Sequence, residues 1–193
     1  KAVIITTGTY LNGAIHIGEN TFASGPDNVR PSTYLTENLR KLGITVQRFK
    51  TGTPARVHKR SLDFEKMERQ YGDEPITPFC FDSKAEIRNW RDCFMTYTNA
   101  ETHKVIMANI HRSPMYSGRI HGTGARYCPS IEDKIVRFKD KERHQLFLEP
   151  MGLNTDEYYV QGMSTSLPED VQVAFMKTIP GLDNVEVMRP AYA

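Results

Sequence analysis

Cys128 combines a reactive residue type with surroundings that favour chemistry. The sequence Ser130-Ile-Glu-Asp133 matches a capping box and predicts that a helix begins just after the cysteine. Backbone amides at a helix N-terminus favour negative charge, and Arg126 lies two residues before Cys128. Both features favour the thiolate form, which is the nucleophile. The alternative is that Cys128 is a small apolar residue that only packs in the interior.

Two neighbouring segments must position this cysteine. Before it, Gly122 and Gly124 permit a close approach between the backbone and a ligand. After it, Ile131, Ile135 and Phe138 recur at helical spacing and predict the buried face of the helix.

The start of the chain contains a second candidate segment. The apolar run Ala2-Val-Ile-Ile5 leads into Thr7, Gly8 and Thr9, and predicts a buried strand of the parallel type that enters a tight turn. No Gly-x-Gly-x-x-Gly follows a predicted strand, so the chain is not expected to contain a dinucleotide phosphate loop.

Basic residues cluster in one stretch, at Arg48, Lys50, Arg56, Lys59 and Arg60. A turn that carries Lys50 beside Arg56 can face a phosphate or a nucleic-acid backbone, or it can form a solvated basic edge. Both interpretations remain open from the residues alone.

The histidines do not have the spacing of a metal site. No His-x-x-x-His or Glu-x-x-His pair occurs on a predicted helix, so we expect no metal held by protein ligands. His103 is expected on a helix surface, and His111 at a helix end.

The remaining pattern alternates between helices and strands, which predicts an α/β or α+β class. Two segments are expected to be irregular because they are rich in glycine, asparagine or proline, namely residues 13–31 and 72–92. We expect helices over residues 34–42, 61–71, 99–110 and 166–179, and strands over residues 44–49, 93–98, 144–149, 157–161 and 185–188. The helix that starts near residue 166 is predicted from a second capping box, Ser166-Leu-Pro-Glu169.

Composition is that of an ordinary globular protein. The 193 residues are 39% hydrophobic and 25% charged, with a net charge of +2, so total charge does not predict a polyanionic partner. Three cysteines at irregular spacing favour reduced thiols in the cytoplasm over a disulfide framework. An opening strand without an initiator methionine leads us to expect an interior piece of a longer protein.

Several motifs, in order along the whole chain, resemble the MnmG (GidA) family of flavoenzymes. They are Thr7-Gly-Thr-Tyr-Leu-Asn-Gly13, His16-Ile-Gly18, Phe49-Lys-Thr-Gly-Thr-Pro54, Thr98-Asn99 with Thr102-His103, Arg112-Ser-Pro-Met-Tyr116, Arg126-Tyr-Cys-Pro-Ser-Ile-Glu-Asp-Lys-Ile-Val-Arg-Phe138, Phe147-Leu-Glu-Pro150, Ser164-Thr-Ser-Leu-Pro168 and Arg189-Pro-Ala-Tyr192. The chain departs from the family pattern at Ser24-Gly-Pro-Asp-Asn-Val-Arg30.

The resemblance implies a fold and a domain organisation. The expected class is α/β (mixed α+β), as the inserted second domain of a two-dinucleotide-binding FAD flavoprotein with short pieces of the FAD domain at both ends. Residues 1–31 would be a strand and loop at the FAD-domain junction, 32–183 the inserted domain associated with NAD and tRNA, and 184–193 a strand returning to the FAD domain.

The resemblance also implies an activity. FAD, NADH as its reductant and methylenetetrahydrofolate as carbon donor would serve to install an aminomethyl or carboxymethylaminomethyl group on carbon 5 of the wobble uridine of tRNA. The GTPase MnmE is the implied partner, and the whole protein is expected to be a cytoplasmic homodimer.

The family's site residues can be carried over by position. Cys128 is the implied catalytic cysteine, with Arg126 beside it, and Ser32 is expected near FAD, although helix capping is its alternative role. The expected cofactor-binding residues are Thr7, Gly8, Thr9, Ser32, Gly124, Ala125, Arg126, Tyr127, Cys128, Pro129, Ser130, Ile131, Glu132, Asp133, Lys134, Ile135, Val136, Arg137 and Phe138.

Two roles at this site remain open. Tyr127 and the adjacent glycines can shape a slot for a nicotinamide or for a flipped base, since both are flat rings. The second hypothesis for the chain is a tRNA- and partner-binding module without chemistry of its own, in which Lys50, Arg56, Lys59, Arg60 and Arg112 would contact phosphates.

Overall fold

An antiparallel sheet of six strands organises the chain, as seen in a computed structural model that describes residues 2–124 and 129–193. In sheet order the strands are β10 (Val187–Arg189), β4 (Arg56–His58), β9 (Glu157–Gln161), β8 (Gln145–Pro150), β6 (Cys93–Tyr97) and β5 (Glu68–Gln70). All five neighbouring pairs in this sheet are antiparallel. The predicted mixed α+β class is therefore confirmed.

Two smaller pairs of strands lie outside this sheet. They are the antiparallel hairpin of β1 (Ala14–Ile17) with β2 (Asn20–Ala23), and the parallel pair of β3 (Phe49–Lys50) with β7 (Thr123–Gly124).

The helices are short. They are α1 (Tyr34–Lys41), α2 (Ala100–Ala108), α3 (Ile131–Arg137) and α4 (Glu169–Met176), with single 3₁₀ turns at Pro26–Asn28, Lys59–Ser61, Phe64–Lys66 and Ile110–Arg112. Within the described part of the chain, no helix has the length and apolar character needed to cross a membrane.

The core forms where the central strands meet helices α2, α3 and α4. Burial alternates along β8, whose Leu146 and Leu148 are fully buried, because successive side chains of a strand point to opposite faces. The helices contribute Ile106, Ile131 and Phe175 to the same cluster. Apolar burial of this kind is the main favourable term that holds the layers together.

Two of the predicted helix starts are confirmed. At α2, the side chain of Asn99 accepts from the backbone N–H of Thr102 at 3.0 Å, and Thr102 Oγ1 accepts from the backbone N–H of Asn99 at 3.2 Å. At α3, Ser130 and Asp133 form the same reciprocal pair.

The third predicted start, at Ser166, is wrong. Helix α4 begins at Glu169 with Pro168 as its N-cap and without a side-chain cap. Ser166 is buried instead, and its backbone N–H points to Glu132 at 3.5 Å. The capping-box pattern was present, but a tertiary contact determined the role of Ser166.

The predicted strand at the start of the chain is also wrong within the described residues. Val3 and Ile4 are 88% and 87% exposed, and no described strand pairs with them. β-branched residues favour a strand only where neighbouring strands supply hydrogen bonds and cover the side chains.

Three further local predictions fail. Residues 44–49, expected to be a strand, contain only Phe49 of β3. Residues 13–31, expected to be irregular, contain the β1–β2 hairpin. Residues 61–71, expected to be helical, form a 3₁₀ turn and strand β5, because Asp63 accepts from the N–H of Glu65 and β5 pairs with the edge of β6.

Leu148→Ala is expected to lower the free energy of unfolding by about 2–5 kcal/mol, because the side chain is fully buried and its removal leaves a cavity. Urea denaturation measures the change. Leu153→Ala is the matched control, since Leu153 is 47% exposed, and it should cost less than about 1 kcal/mol. Equal losses in the two variants would contradict the assignment of the core.

Candidate functional site

The turn at Thr7, Gly8 and Thr9 lies next to Ser32. Gly8 has a φ of 54°, a conformation that costs little only for glycine, and the N–H of Tyr10 donates to the carbonyl of Thr7 at 3.2 Å. The backbone of Ser32 hydrogen-bonds to Tyr10 at 2.9 Å and to Asn12 at 2.8 Å. Ser32 does not cap α1, whose N-cap is Thr33.

A cavity of about 350 Å³ opens beside this turn. Its wall includes the three residues of the turn and three basic residues, Arg40, Arg48 and Lys50. Arg48 Nη2 donates to the carbonyl of Asn12 at 3.1 Å, which ties this wall to the turn. The cavity therefore combines a backbone turn with positive charge.

Thr36 adds an unsatisfied hydroxyl to the cavity wall. The residue is 3% exposed, and its Oγ1 has no hydrogen-bond partner among the described residues. A buried hydroxyl without a partner carries a free-energy cost, so a bound polar group would be favoured here. Sequence analysis missed Thr36 and Arg40, because nothing in a short amphipathic helix marks its ligand-facing positions.

His16 is a neutral member of the same wall. Its Nδ1 lies 2.9 Å from Thr21 Oγ1 in the β1–β2 hairpin. Burial, and then the positive charge of Arg48, lower the pKa of His16 below 6.5. The cavity therefore gains no charge from this imidazole at neutral pH.

The short β3–β7 pair connects the cavity to the segment that contains Cys128. Phe49 pairs with Thr123 and Lys50 pairs with Gly124, and both β3 residues line the cavity. Just before β7, a Cβ at Gly122 would lie 3.1 Å from the carbonyl oxygen of Arg48, so a larger residue would push the two segments apart. The chain thus lines the cavity at Ile120 and His121 and then continues as β7 beside β3 up to Gly124.

The predicted catalytic pair, Cys128 and Arg126, lies outside the described residues, as do Ala125 and Tyr127. The description resumes at Pro129, which is half-buried, and Ser130 then caps α3.

The predicted cofactor-binding residues of α3 have different surroundings. Ile131 and Ile135 pack in the core as predicted, whereas Val136 and Phe138 are 38% and 50% exposed. The predicted inward position of Phe138 is therefore wrong. The Lys134 ammonium donates to the carbonyl of Gly162 at 2.8 Å. Arg137 lies 3.8 Å from Asp133.

Glu132 is the fully buried carboxyl of the site. Its Oε1 accepts from Thr165 Oγ1 at 2.9 Å and from Ser113 Oγ at 3.3 Å, and the N–H of Ser166 lies at 3.5 Å. Its Oε2 has no hydrogen-bond partner among the described residues. Burial raises the pKa of Glu132, while the charge of Lys50 acts in the opposite direction.

Asp133 and Tyr116 form a second polar contact in the first turn of α3. The Tyr116 hydroxyl donates to Asp133 Oδ1 at 3.3 Å. Burial, reinforced by the negative charge of Asp133, raises the pKa of Tyr116 to about 12, so the phenol stays protonated at neutral pH.

The basic residues singled out in the sequence do not form one exposed surface. Arg56 is 4% exposed, donates to the carbonyl of Pro54 at 3.0 Å and pairs with Asp27 at 3.2 Å. Arg112 pairs with Asp170 at 2.9 Å and with Glu19 at 3.2 Å. The prediction that these two arginines contact phosphates is therefore wrong for Arg56 and unsupported for Arg112.

A search of residues 2–124 and 129–193 finds no cluster of three or more His, Cys, Asp or Glu side chains that could hold a metal ion.

Comparison with known proteins gives matches along the whole chain. The family model described as "Glucose inhibited division protein A" matches residues 1–193. A protein of Caldicellulosiruptor saccharolyticus named "tRNA uridine 5-carboxymethylaminomethyl modification enzyme MnmG" is 60% identical over 193 residues, and a Bacillus subtilis protein of the same name is 57% identical. Each match covers 100% of this chain and 31% of the relative, so the chain spans about a third of the relatives' length.

Two solved structures of Aquifex aeolicus GidA have the same fold over this region. The form I crystal gives a TM-score of 0.87 at 48% identity and covers 97% of this chain and 32% of that one. The form II crystal gives 0.85 at 45% identity, with coverage of 96% and 30%.

Glu132→Gln is expected to change how stability depends on pH. Because the folded state raises the pKa of Glu132 above its ordinary value of 4.5, the folded protein retains a proton that the unfolded chain has released. The free energy of unfolding of the wild type should therefore fall as pH rises above that value. The free energy of unfolding of the glutamine variant should fall less over the same range of pH. Urea denaturation between pH 4.5 and 8 measures both slopes.

The control for this prediction is Glu65→Gln, which removes an exposed carboxyl. Its slope should match that of the wild type. Parallel slopes for all three proteins would show that Glu132 does not bind a proton in the folded state within this range.

Proposed function

Because the chain belongs to the glucose inhibited division protein A family, we propose that it forms part of an FAD-dependent enzyme that modifies the wobble uridine of tRNA at carbon 5. The names of its relatives support the class of reaction. The product would carry an aminomethyl or carboxymethylaminomethyl group. Function requires a site as well as a fold, so the proposal depends on the cavity.

One observation carries the proposal. The β3–β7 pair joins a wall of the Thr7–Gly8–Thr9 cavity to the strand that leads into Arg126 and Cys128. The last described residues before the expected nucleophile segment, Thr123 and Gly124, therefore pair with a strand of the wall that also holds the residues expected to contact the flavin. No feature of the sequence alone required them to be neighbours.

The residues present fit a flavin cofactor. Thr7, Gly8 and Thr9 would hold it from one side with Ser32 behind them, and the positive φ of Gly8 leaves the backbone open to close approach. The unpartnered hydroxyl of Thr36 and the positive charge of the wall suit its polar and anionic groups. FAD, when bound, would supply the oxidation and reduction steps.

Cys128 is proposed as the nucleophile toward uridine. Its thiolate would add to carbon 6, and the electrons of the carbon 5–carbon 6 double bond would move onto the carbonyl oxygen at carbon 4. Carbon 5 would then attack the methylene carbon of the folate iminium, whose carbon–nitrogen π electrons move onto nitrogen. Loss of tetrahydrofolate from that methylene carbon and addition of an amine in its place would give the aminomethyl-type group. Loss of the carbon 5 proton to a base would expel the thiolate as the double bond reforms. Arg126 would stabilise the thiolate and the enolate oxygen.

The described residues around α3 would hold this nucleophile in place. Ser130 fixes the start of the helix two residues after Cys128, and Glu132 ties the helix to Ser113 and Thr165. A catalytic group attached to a rigid element loses less entropy on reaching its reactive position.

The proposed cofactors and partners follow from family membership. NADH would reduce the flavin, methylenetetrahydrofolate would supply the carbon, and the GTPase MnmE and a second copy of the protein would complete the assembly. The proposed domain organisation places residues 1–31 and 184–193 beside the FAD domain, with residues 32–183 as the inserted domain.

Cys128→Ser is expected to reduce tRNA modification by more than about 100-fold in the complete protein with its partner GTPase, since a serine hydroxyl is not ionised at neutral pH. Mass spectrometry of the wobble nucleoside measures the product. Cys93→Ser is the control and should retain activity, because Cys93 is a half-buried strand residue whose thiol pKa is raised by burial.

Near-normal tRNA modification by the Cys128→Ser variant would exclude Cys128 as the nucleophile. The pH dependence of the alkylation rate gives the thiol pKa of Cys128 in the wild type. An ordinary thiol pKa, together with tRNA binding by this chain, would favour the alternative of a binding module without its own chemistry.

A further inference from the structure

A second, wider cavity lies on another part of the described structure. It is a groove of about 860 Å³ where the end of β6 meets the start of α2 and the turn that follows α3. Tyr97, Asn99 and His103 form its inner wall, and Lys139, Lys141 and Arg143 stand along its rim. We name these six residues the basic groove.

The rim of the basic groove carries positive charge that the described residues do not neutralise by ion pairs. Lys139, Lys141 and Arg143 are all exposed and form no ion pair within the described part of the chain. Two acidic residues, Glu68 and Glu142, also line the cavity and offset part of this charge. Lys66 lines it too but pairs with Asp183 at 3.1 Å.

Arg143 is held against an aromatic ring. Its guanidinium carbon lies 4.0 Å from the centroid of the Tyr97 ring. Stacking of this kind uses the face of the guanidinium and leaves the N–H donors in its plane available to a phosphate. A stacked arginine also loses less side-chain entropy when it binds.

The inner wall is rigid and uncharged at neutral pH. His103 Nε2 lies 2.8 Å from Thr98 Oγ1, which accepts from the backbone N–H of His144 at 2.8 Å. Burial lowers the pKa of His103 and of His144. The positive charge of the groove therefore comes from the three rim residues and does not change between pH 7 and 8.

We propose that the basic groove binds the phosphodiester backbone of tRNA. This inference rests on the proposed function, which supplies the polyanion. A wide groove lined by exposed cations and one stacked arginine fits an extended chain of phosphates, which contacts proteins largely through lysine and arginine. The sequence suggested the stretch from Arg48 to Arg60 for this role. In the structure, Arg56 of that stretch is buried and forms an ion pair with Asp27.

The test compares two triple charge reversals in the complete protein. The groove variant combines Lys139→Glu, Lys141→Glu and Arg143→Glu. The control variant combines Lys41→Glu, Lys84→Glu and Arg88→Glu, which are exposed residues elsewhere on the chain with the same total change of charge. Fluorescence anisotropy with labelled tRNA, from 50 to 300 mM salt, gives affinity and its salt dependence.

The groove variant is expected to bind tRNA at least tenfold more weakly than the control variant at low salt. Its slope of log affinity against log salt should be shallower than that of the wild type by about 2 to 3, as for the loss of three phosphate contacts. Equal losses in both variants, or an unchanged slope in the groove variant, would overturn the proposal, as would a wild type that binds no RNA.

Modification activity separates this proposal from the proposed function. If the wild type modifies tRNA and the groove variant keeps its affinity for tRNA, the groove is not the binding surface, and the proposed enzymatic function still stands. If the wild type binds tRNA through the groove but leaves its wobble uridine unmodified, the groove stands and the proposed function fails.

Discussion

The buried carboxyl of Glu132 is the interaction on which the arrangement around α3 depends. A carboxyl that is fully removed from water must find hydrogen-bond donors, and its Oε1 takes them from Ser113, Thr165 and Ser166. Two segments distant in sequence, at Ser113 and at Thr165–Ser166, are thereby fixed to the first turn of one short helix. A seven-residue helix is not stable alone, so these contacts and the core positions Ile131 and Ile135 hold it.

Lys50 relates the wall of the cavity to helix α3 through its charge and its backbone pairing. Lys50 lies on the cavity wall and is close enough for its charge to act on the pKa of Glu132. Lys50 also pairs through its backbone with Gly124, the last described residue before the segment that contains Cys128. The positive charge of Lys50 therefore lowers the pKa of Glu132, against the larger effect of burial, which raises it.

Local sequence patterns predicted the starts of two helices whose capping partners are close in sequence. The helix start at Asn99 and the capping box at Ser130 formed as expected, since each needs only residues within one helical turn. The box at Ser166 did not form, because its backbone N–H instead points to Glu132, which lies 34 residues earlier. Strand β5 was missed because its pairing with β6 overrode a weak local preference for helix. The β1–β2 hairpin was missed although its strands are close in sequence, because a content of Gly, Asn and Pro predicts a loop and does not reveal a short strand pair.

By itself the sequence determined the mixed class, strands β6, β8 and β9, the starts of α2 and α3, and a family resemblance that the comparisons confirmed over all 193 residues. These features depend on side-chain periodicity and on motifs, which involve only residues that are close in sequence. Only the tertiary structure decided that the turn at Gly8 shares a cavity with Lys50, that Arg56 is buried, and that Lys139, Lys141 and Arg143 line one groove. Such neighbours are set by how strands pair and helices pack across long separations, which no local pattern encodes.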